Sequence, residues 1–472
     1  MYRIALTILI AFLAMSTDVS AQSREAEIAE ANIVRAFSAR RYERALQQID
    51  TYLARWPESP NMIYNQACAY ALMGNREASS QSLLRAVERG FREFGQMKLD
   101  PDLASMRDHP TFQAIIEAEN RVDRNSSIQQ VERWKKRWGE YGYTFDSDPE
   151  RNLHFITSVD ATSHRQMKDM LQKQADQMSD SLFTTSPDYW CLIAVPTAKD
   201  AKKIFESETT AGVYVHNDRQ LISRDIGASM RHEFAHLMHY GDMERRNQRH
   251  AMWVQEGIAS LYEDYEISSD GSITFAPNLR HNIARNQINR NLAVDLQDLF
   301  DMTPRRFMKG NARYYPQVRS LFEFLADLKL LEEWYEMYTE TWDRSPEGTL
   351  AWEKIFGVPL EDVERRWKKW VVGRGEIDVR IDYGDASIGV AGEDAGDGIK
   401  ITSVQSRNAR RAGLRQGDVI VAVDTTPVRA RGELVQAIAK KRVGERVRLR
   451  IRRNGDYRNV VVILAPLGAE SR

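Results

Sequence analysis

The chain has 472 residues, 42% of them hydrophobic and 28% charged, with 66 Lys and Arg against 67 Asp and Glu. That length and apolar content support two to four domains with real cores. A net charge of -1 excludes a bulk electrostatic partner, and two cysteines exclude a disulfide scaffold.

In chain order, Arg3 precedes an apolar run from Ile4 to Met15, and Val19-Ser20-Ala21 stands before Gln22. A short basic region, an apolar core and a small-x-small cleavage site make residues 1–21 an expected signal peptide. The mature chain is then exported, periplasmic or secreted. The run is too short to span as a mature transmembrane helix, and no other segment reads as a membrane span. From about Glu25 to Glu119 the sequence is helical and weakly repetitive. Arg41-Tyr42-Glu43-Arg44-Ala45-Leu46 and Asn75-Arg76-Glu77-Ala78 each open a helix, and apolar positions match at a shift of 34 (Ile49 with Leu83, Leu53 with Val87). That period resembles the tetratricopeptide repeat, which implies a surface for a peptide or partner protein. A spacer or intramolecular brace fits the same pattern.

Asn120 to Glu132 is polar and reads as a linker, after which Val131 opens a mixed sheet-and-helix region. His154 to Val159 and Tyr189 to Val195 read as strands. Met167, Met170, Leu171, Met178 and Leu182 fall at helical spacing, a core stripe. Gly212 to His216 and Gln220 to Ser223 are two further short strands.

Then comes His232-Glu233-Phe234-Ala235-His236, an H-E-x-x-H run among apolar residues that suit a buried helix. Residues four apart share a helix face, so His232 and His236 can offer two imidazoles to one ion, with Glu233 beside the first. Chance gives such a pentapeptide in on the order of one chain in a hundred, so a third ligand is required. Two residues compete for that place. Asp242 has the offset of the metzincin pattern H-E-x-x-H-x-x-G-x-x-H/D, but His239 stands where that pattern has glycine. Glu256 lies in Trp253-Val254-Gln255-Glu256-Gly257-Ile258-Ala259, which resembles the W-x-x-E-G-x-A element of the gluzincin metallopeptidases. Gly241 to His250 reads as the loop joining the two helices.

The gluzincin resemblance implies one zinc ion held by His232, His236 and Glu256, with Glu233 as general base. It also implies that the strand before the metal helix is an edge that pairs with an extended substrate. Arg313-Tyr314-Tyr315-Pro316-Gln317 resembles the Y-x-Q element that follows the zinc site in peptidase MA-like domains. Tyr315 is thereby the candidate donor to the oxyanion, with Tyr314 and His281 as alternatives. No G-A-M-E-N-type element for a substrate amine precedes His232, which favours an endopeptidase. The resemblance covers roughly 131–373.

From Ile381 to Pro466 the composition shifts to Val, Gly and Arg. Ala409-Arg410-Arg411-Ala412-Gly413-Leu414-Arg415-Gln416-Gly417-Asp418-Val419-Ile420 resembles the core of bacterial PDZ domains. Ser387-Ile388-Gly389-Val390 then takes the place of the loop whose backbone N–H groups hold a peptide's terminal carboxylate. The basic run Lys440 to Arg453 alternates with apolar residues, a strand with one solvated arginine face rather than a nucleic-acid site.

The expectation is a multidomain α+β protein. It has a signal peptide (1–21), tetratricopeptide-like helical repeats (25–119), a zincin-like α+β metallopeptidase domain (131–373) and a PDZ β-barrel-like domain (381–466). Its partners are a polypeptide substrate and a C-terminal peptide at the PDZ domain. A binding scaffold with a structural or vestigial zinc site is the competing account, and the presence of Glu233 favours the enzyme.

Overall fold

The computed structural model describes residues 17–183, 186–205, 210–224, 226–268, 271–377, 385–395, 398–424, 426–428, 431–439 and 441–467. They fall into two units, divided between Trp134 and Lys135. The expected signal segment lies outside these residues up to position 16, and from Thr17 it is the start of the first helix. Among the described residues no helix is long and apolar enough to cross a membrane.

The first unit is helical: α1 (Thr17–Ser38), α2 (Tyr42–Arg55), α3 (Pro60–Leu72), α4 (Arg76–Glu88), α5 (Phe94–Leu99), a 3-10 turn (Pro101–Met106) and α6 (Pro110–Trp138), most of which belongs here. Pro60 opens α3 at a position where its missing N–H is not needed. The Asn75 side chain caps α4 by accepting from Ala78 N–H at 3.1 Å. Ile49 and Leu83, matched by the 34-residue shift, are both fully buried in one core. The expected linker 120–132 is instead the middle of α6. Polar composition does not break a helix; Gly and Pro do, and none occurs between Pro110 and Gly139.

The second unit begins with β1 (Thr144–Asp148), β2 (Leu153–Thr157), α7 (Ala161–Asp180), β3 (Cys191–Val195), α8 (Ala198–Ile204), β4 (Gly212–Val215) and β5 (Gln220–Ser223). These strands form one sheet in the order β1-β2-β3-β5-β4. Its middle is parallel and both outer pairs are antiparallel; the edge is β4, whereas β5, the strand directly before the H-E-x-x-H helix, is paired on both sides, so the expected edge falls one strand earlier. The methionine stripe of α7 is buried against this sheet and the helices that follow. Those are α9 (Ala228–Arg246) and α10 (Met252–Leu261), a hairpin of β6 (Tyr265–Ile267) and β7 (Ile273–Phe275), then α11 (Leu279–Asn289), α12 (Leu296–Phe300), α13 (Pro304–Lys309), α14 (Asn311–Asp327), α15 (Leu331–Thr341), α16 (Thr349–Phe356) and α17 (Leu360–Gly373). The expected loop from Gly241 to His250 is half helix, because α9 runs on to Arg246. Gly241 stays helical and lets Pro187 close in, since a Cβ there would stand 2.7 Å from the proline ring. Asn247, at φ 51°, provides the left-handed stop.

The last region holds β8 (Ala386–Ser387), β9 (Val390–Asp394), β10 (Ile399–Val404), α18 (Arg407–Arg411), β11 (Val419–Val423), β12 (Thr426–Pro427), α19 (Arg431–Ala439), β13 (Arg446–Arg453), β14 (Asp456–Ile463) and β15 (Ala465–Pro466). Its main sheet follows the open path β14-β13-β11-β10-β9, with β12 beside β11. The buried Asp418 takes the fork of Arg453 at 2.6 and 2.7 Å and accepts from Arg415 N–H at 2.8 Å, tying the turn before β11 to β13. The arginine face of β13 is not wholly solvated: Arg450 is buried, its guanidinium 4.6 Å from the Tyr457 ring. Cys68 and Cys191 are both buried, one in each unit, and are not joined in a disulfide.

Candidate metal centre

The placement of α9 follows from its apolar residues. Met230, Phe234, Ala235, Leu237 and Met238 are buried in the core of the second unit, leaving His232 and His236 one turn apart on a shared face. Helix α10 is anchored along its length. Trp253 stacks on Phe300 with centroids 4.1 Å apart and donates its indole N–H to Glu347 C=O at 2.9 Å. A Cβ at Gly257 would lie 2.2 Å from the Phe322 ring, so only glycine lets α10 and α14 close to this distance. The last carbonyls of a helix lack partners and favour a cation. Here the buried Arg319 donates to the carbonyls of Ser260 and Leu261, and to that of Ala276 at 2.8 Å. These contacts hold Glu256 between the two imidazoles.

His232 Nε2 and His236 Nε2 lie 3.2 Å apart, and Glu256 Oε2 is 3.3 Å from the first and 3.5 Å from the second. Three atoms each ~2.05 Å from a tetrahedral zinc stand about 3.3 Å from one another, so the triangle has the size that ion requires. Glu256 Oε2 is buried and finds no properly directed hydrogen bond among the described residues. The electrostatics call for a cation as well. Burial disfavours the His232 imidazolium, yet the carboxylates of Glu256, Glu263 and Glu233 outweigh it and hold its pKa at about 10. Burial likewise opposes the Glu256 carboxylate, and the two histidines more than offset that and hold its pKa low.

Behind the triangle stands a residue the sequence reading missed. Glu263 Oε1 is 3.1 Å from His232 Nδ1, the second ring nitrogen, and accepts a guanidinium fork from Arg280 at 2.8 and 3.1 Å. Such a carboxylate fixes the imidazole's tautomer and orientation. Its only signal in the sequence is an acid just past the end of the Glu256 helix, where Asp264 competes equally.

Glu233 Oε2 accepts the Tyr214 N–H at 2.9 Å, which brings β4 against the site. Arg224 N–H donates to Ala211 C=O at 2.8 Å, so by antiparallel alternation Val213 and Val215 bond β5 while Gly212 and Tyr214 turn outward. A Cβ at Gly212 would stand 3.0 Å from Glu233 Cγ. Tyr315 reaches the same place: its ring is 6.2 Å from that of His232 and lies 5.2 Å from the Arg280 guanidinium. Burial, then the nearby Glu256 charge, pushes its pKa well up, so the phenol keeps its proton.

The alternatives are engaged elsewhere. Asp242 is fully buried, accepting from Tyr335 O–H at 2.7 Å and from Arg245 and Arg246 at 3.0 and 2.8 Å. His281 Nε2 faces Gly375 C=O at 2.8 Å. Tyr314 packs on Phe307 and Gly310. Gln317, of the Y-x-Q element, holds the Val294 backbone through both ends of its amide. In the loop 387–390, Gly389 has φ 76°, and a Cβ there would collide with Ser406 at 2.2 Å. Its N–H donates to Ser387 Oγ at 3.0 Å, so one of the loop's donors already has an oxygen on it, and the Ile388 side chain is in the core.

Residues 386–464 match the PDZ domain family, and this part of the chain is a PDZ domain. The magnetosome formation protease MamE of Paramagnetospirillum magneticum is 38% identical over 78 residues, 16% of this chain and 11% of that protein. A chloroplastic protein of Arabidopsis thaliana is 29% identical over 79 residues, 16% of this chain and 24% of that one. The chain thus spans less than a quarter of the length of these curated relatives. Among solved structures, the HtrA-type protease AlgW with a decapeptide covers 23% of this chain and 35% of its own at 19% identity and a TM-score of 0.17. An aminopeptidase N family protein from Idiomarina loihiensis covers 69% of this chain and 67% of its own at 12% identity and a TM-score of 0.31.

Proposed function

We propose that the chain is an exported zinc-dependent peptidase of the gluzincin kind, cutting within polypeptides. The observation that carries this reading is the triangle of His232, His236 and Glu256 with Glu233 beside it, against an outward-facing sheet edge. A zinc ion bound there would supply Lewis-acid polarisation and lower the pKa of a coordinated water.

The chain's own residues supply the rest. The outward amides and carbonyls of Gly212 and Tyr214 pair with an extended substrate backbone. Glu233 takes the proton from the attacking water and passes it to the leaving amine. Its present bond to Tyr214 N–H must loosen as substrate takes over that donor. Tyr315, kept protonated, donates its O–H to the developing oxyanion. The PDZ domain binds polypeptide termini along β9, which is an edge of its sheet. The helical unit, read as tetratricopeptide-like, presents a partner or substrate surface.

The test is cleavage of an unfolded protein by the wild type and by Glu233→Gln, each with its zinc content measured. The expected result is zinc retained in both and a rate about 10²–10⁴-fold lower in the variant. Internal fragments in the digest support the endopeptidase, whereas single residues released from one end contradict it. Equal cleavage by the variant contradicts the mechanism.

A further inference from the structure

Two consecutive residues at the start of α11 face two different things. Leu279 meets the PDZ helix: a Cβ at Gly432 of α19 would stand 2.6 Å from its Cδ1, and Gln436, one turn on, donates to Pro277 C=O at 3.1 Å. Arg280 meets the candidate metal centre: it forks onto Glu263, which faces His232, and its guanidinium lies 5.2 Å from the Tyr315 ring centroid. Burial would lower the Arg280 pKa, but Glu263, Tyr315 and then Glu433 of α19 hold it high, which puts the PDZ helix within electrostatic reach of the same side chain.

We propose that Arg280 is a positioning residue for the metal centre and that docking of α19 on Leu279 holds it in register. In the docked arrangement Arg280 fixes Glu263, Glu263 fixes the His232 ring, and the Tyr315 ring is held under the guanidinium. Lifting α19 frees the first turn of α11, and with it the fork. A peptide entering beside α19 therefore acts on the centre through a backbone step of one residue. The PDZ domain is then part of the scaffold of the site, beyond any role in capturing substrate. The kinetic side of this inference rests on the peptidase reading, whereas its spectroscopic side does not.

The experiment uses the full chain loaded with Co²⁺, in the wild type, Gly432→Leu and Gln436→Glu. The first variant drives a side chain into Leu279, and the second sets a carboxylate against a carbonyl, so one serves if the other fails to fold. Amide exchange over the first turn of α11 reports undocking. The visible spectrum of bound cobalt reports ligand geometry, and kcat and KM on a short peptide report the reaction. The expected result is faster exchange, a changed cobalt spectrum and a kcat about tenfold lower, the lower end of the effect of losing a ligand's outer partner, with KM little moved. Arg280→Lys, which cannot fork, changes the spectrum in the same way. Adding Leu279→Ala to Gly432→Leu makes room for the new side chain and restores the wild-type spectrum. Asn459→Ala, which removes a PDZ contact to Asp160 away from α11, leaves the spectrum unchanged. Faster exchange with an unaltered cobalt spectrum overturns the proposal. Cobalt uptake with no hydrolysis in the wild type sinks the peptidase reading and leaves the spectral result to decide this one.

Discussion

Helix α9 takes part in two histidine pairs that lie one turn apart and behave in opposite ways. His232 and His236 sit 3.2 Å apart with Glu256, Glu263 and Glu233 around them, and His232 is pulled up to about 10 against its burial. His239 Nε2 and His250 Nδ1 lie 2.7 Å apart among the rings of Phe183, Tyr335 and Tyr338. Burial, then His250 and His236, drives His239 far down; burial, then Arg246, takes His250 to about 3. Both pairs are close, and both are buried. Carboxylates make the first a place for a cation, while their absence among the neighbours acting on the second leaves a neutral pair joined by one N–H···N bond. Asp242, which Tyr335 of this second group contacts, is committed to that hydroxyl and two arginines.

The largest effect that would sharpen this contrast is on metal content. Glu256→Ala should lower zinc affinity by more than about 100-fold, since loss of a ligand exceeds the 10–100-fold cost of losing an outer partner, while His250→Gln leaves it unchanged. Equal loss in both variants, measured by competition with a chelating dye, would break the comparison. Glu263→Gln comes next, with an affinity about 10–100-fold weaker in the same assay, because the His232 ring loses its charged acceptor and the amide that replaces it cannot take both arms of Arg280.

The third effect is on acid stability. His250 and His216 both titrate at about 3 in the fold, against an ordinary value of 6.5. The unfolded chain therefore binds more protons below pH 6.5, and stability falls as pH drops from there towards 3. Each group contributes a slope of up to ~1.4 kcal/mol per pH unit. His250→Gln should flatten the urea midpoint between pH 6.5 and 5 relative to wild type; an unchanged slope would show that His250 is not held neutral. The smallest effect is that of Tyr335→Phe. It removes one hydrogen bond from the Asp242 carboxylate, which keeps both arginines, and should cost about 1.5 kcal/mol in the same measurement, the lower end for a bond to a charged group, without changing zinc content.

The three candidate ligands that the structure brings together are legible in the sequence because helical spacing is arithmetic: His232 and His236 are four apart, and a second helix after them offers one well-placed acid. The strands and the methionine core of α7 are legible for the same reason. What escapes is set by tertiary contact. Glu263 and Arg280 are ordinary charged residues until the fold brings α11 behind α10. The α6 interior at 120–132 reads as a linker only when polarity is weighed above the lack of helix breakers. The loop expected at 241–250 is shortened by a glycine whose role is packing on Pro187. In the PDZ loop, the resemblance places Ser387 to Val390 in the sequence, but neither the positive φ of Gly389 nor the bond from its N–H to Ser387 is legible there.

Zinc stoichiometry is the most direct test: the full chain and Glu256→Ala, each equilibrated with a small excess of zinc, desalted and analysed for metal. One ion per wild-type chain and almost none per Glu256→Ala chain is the expected result. A wild type that emerges without zinc, or a variant that keeps as much as the wild type, would mean that the three atoms face one another for some other reason.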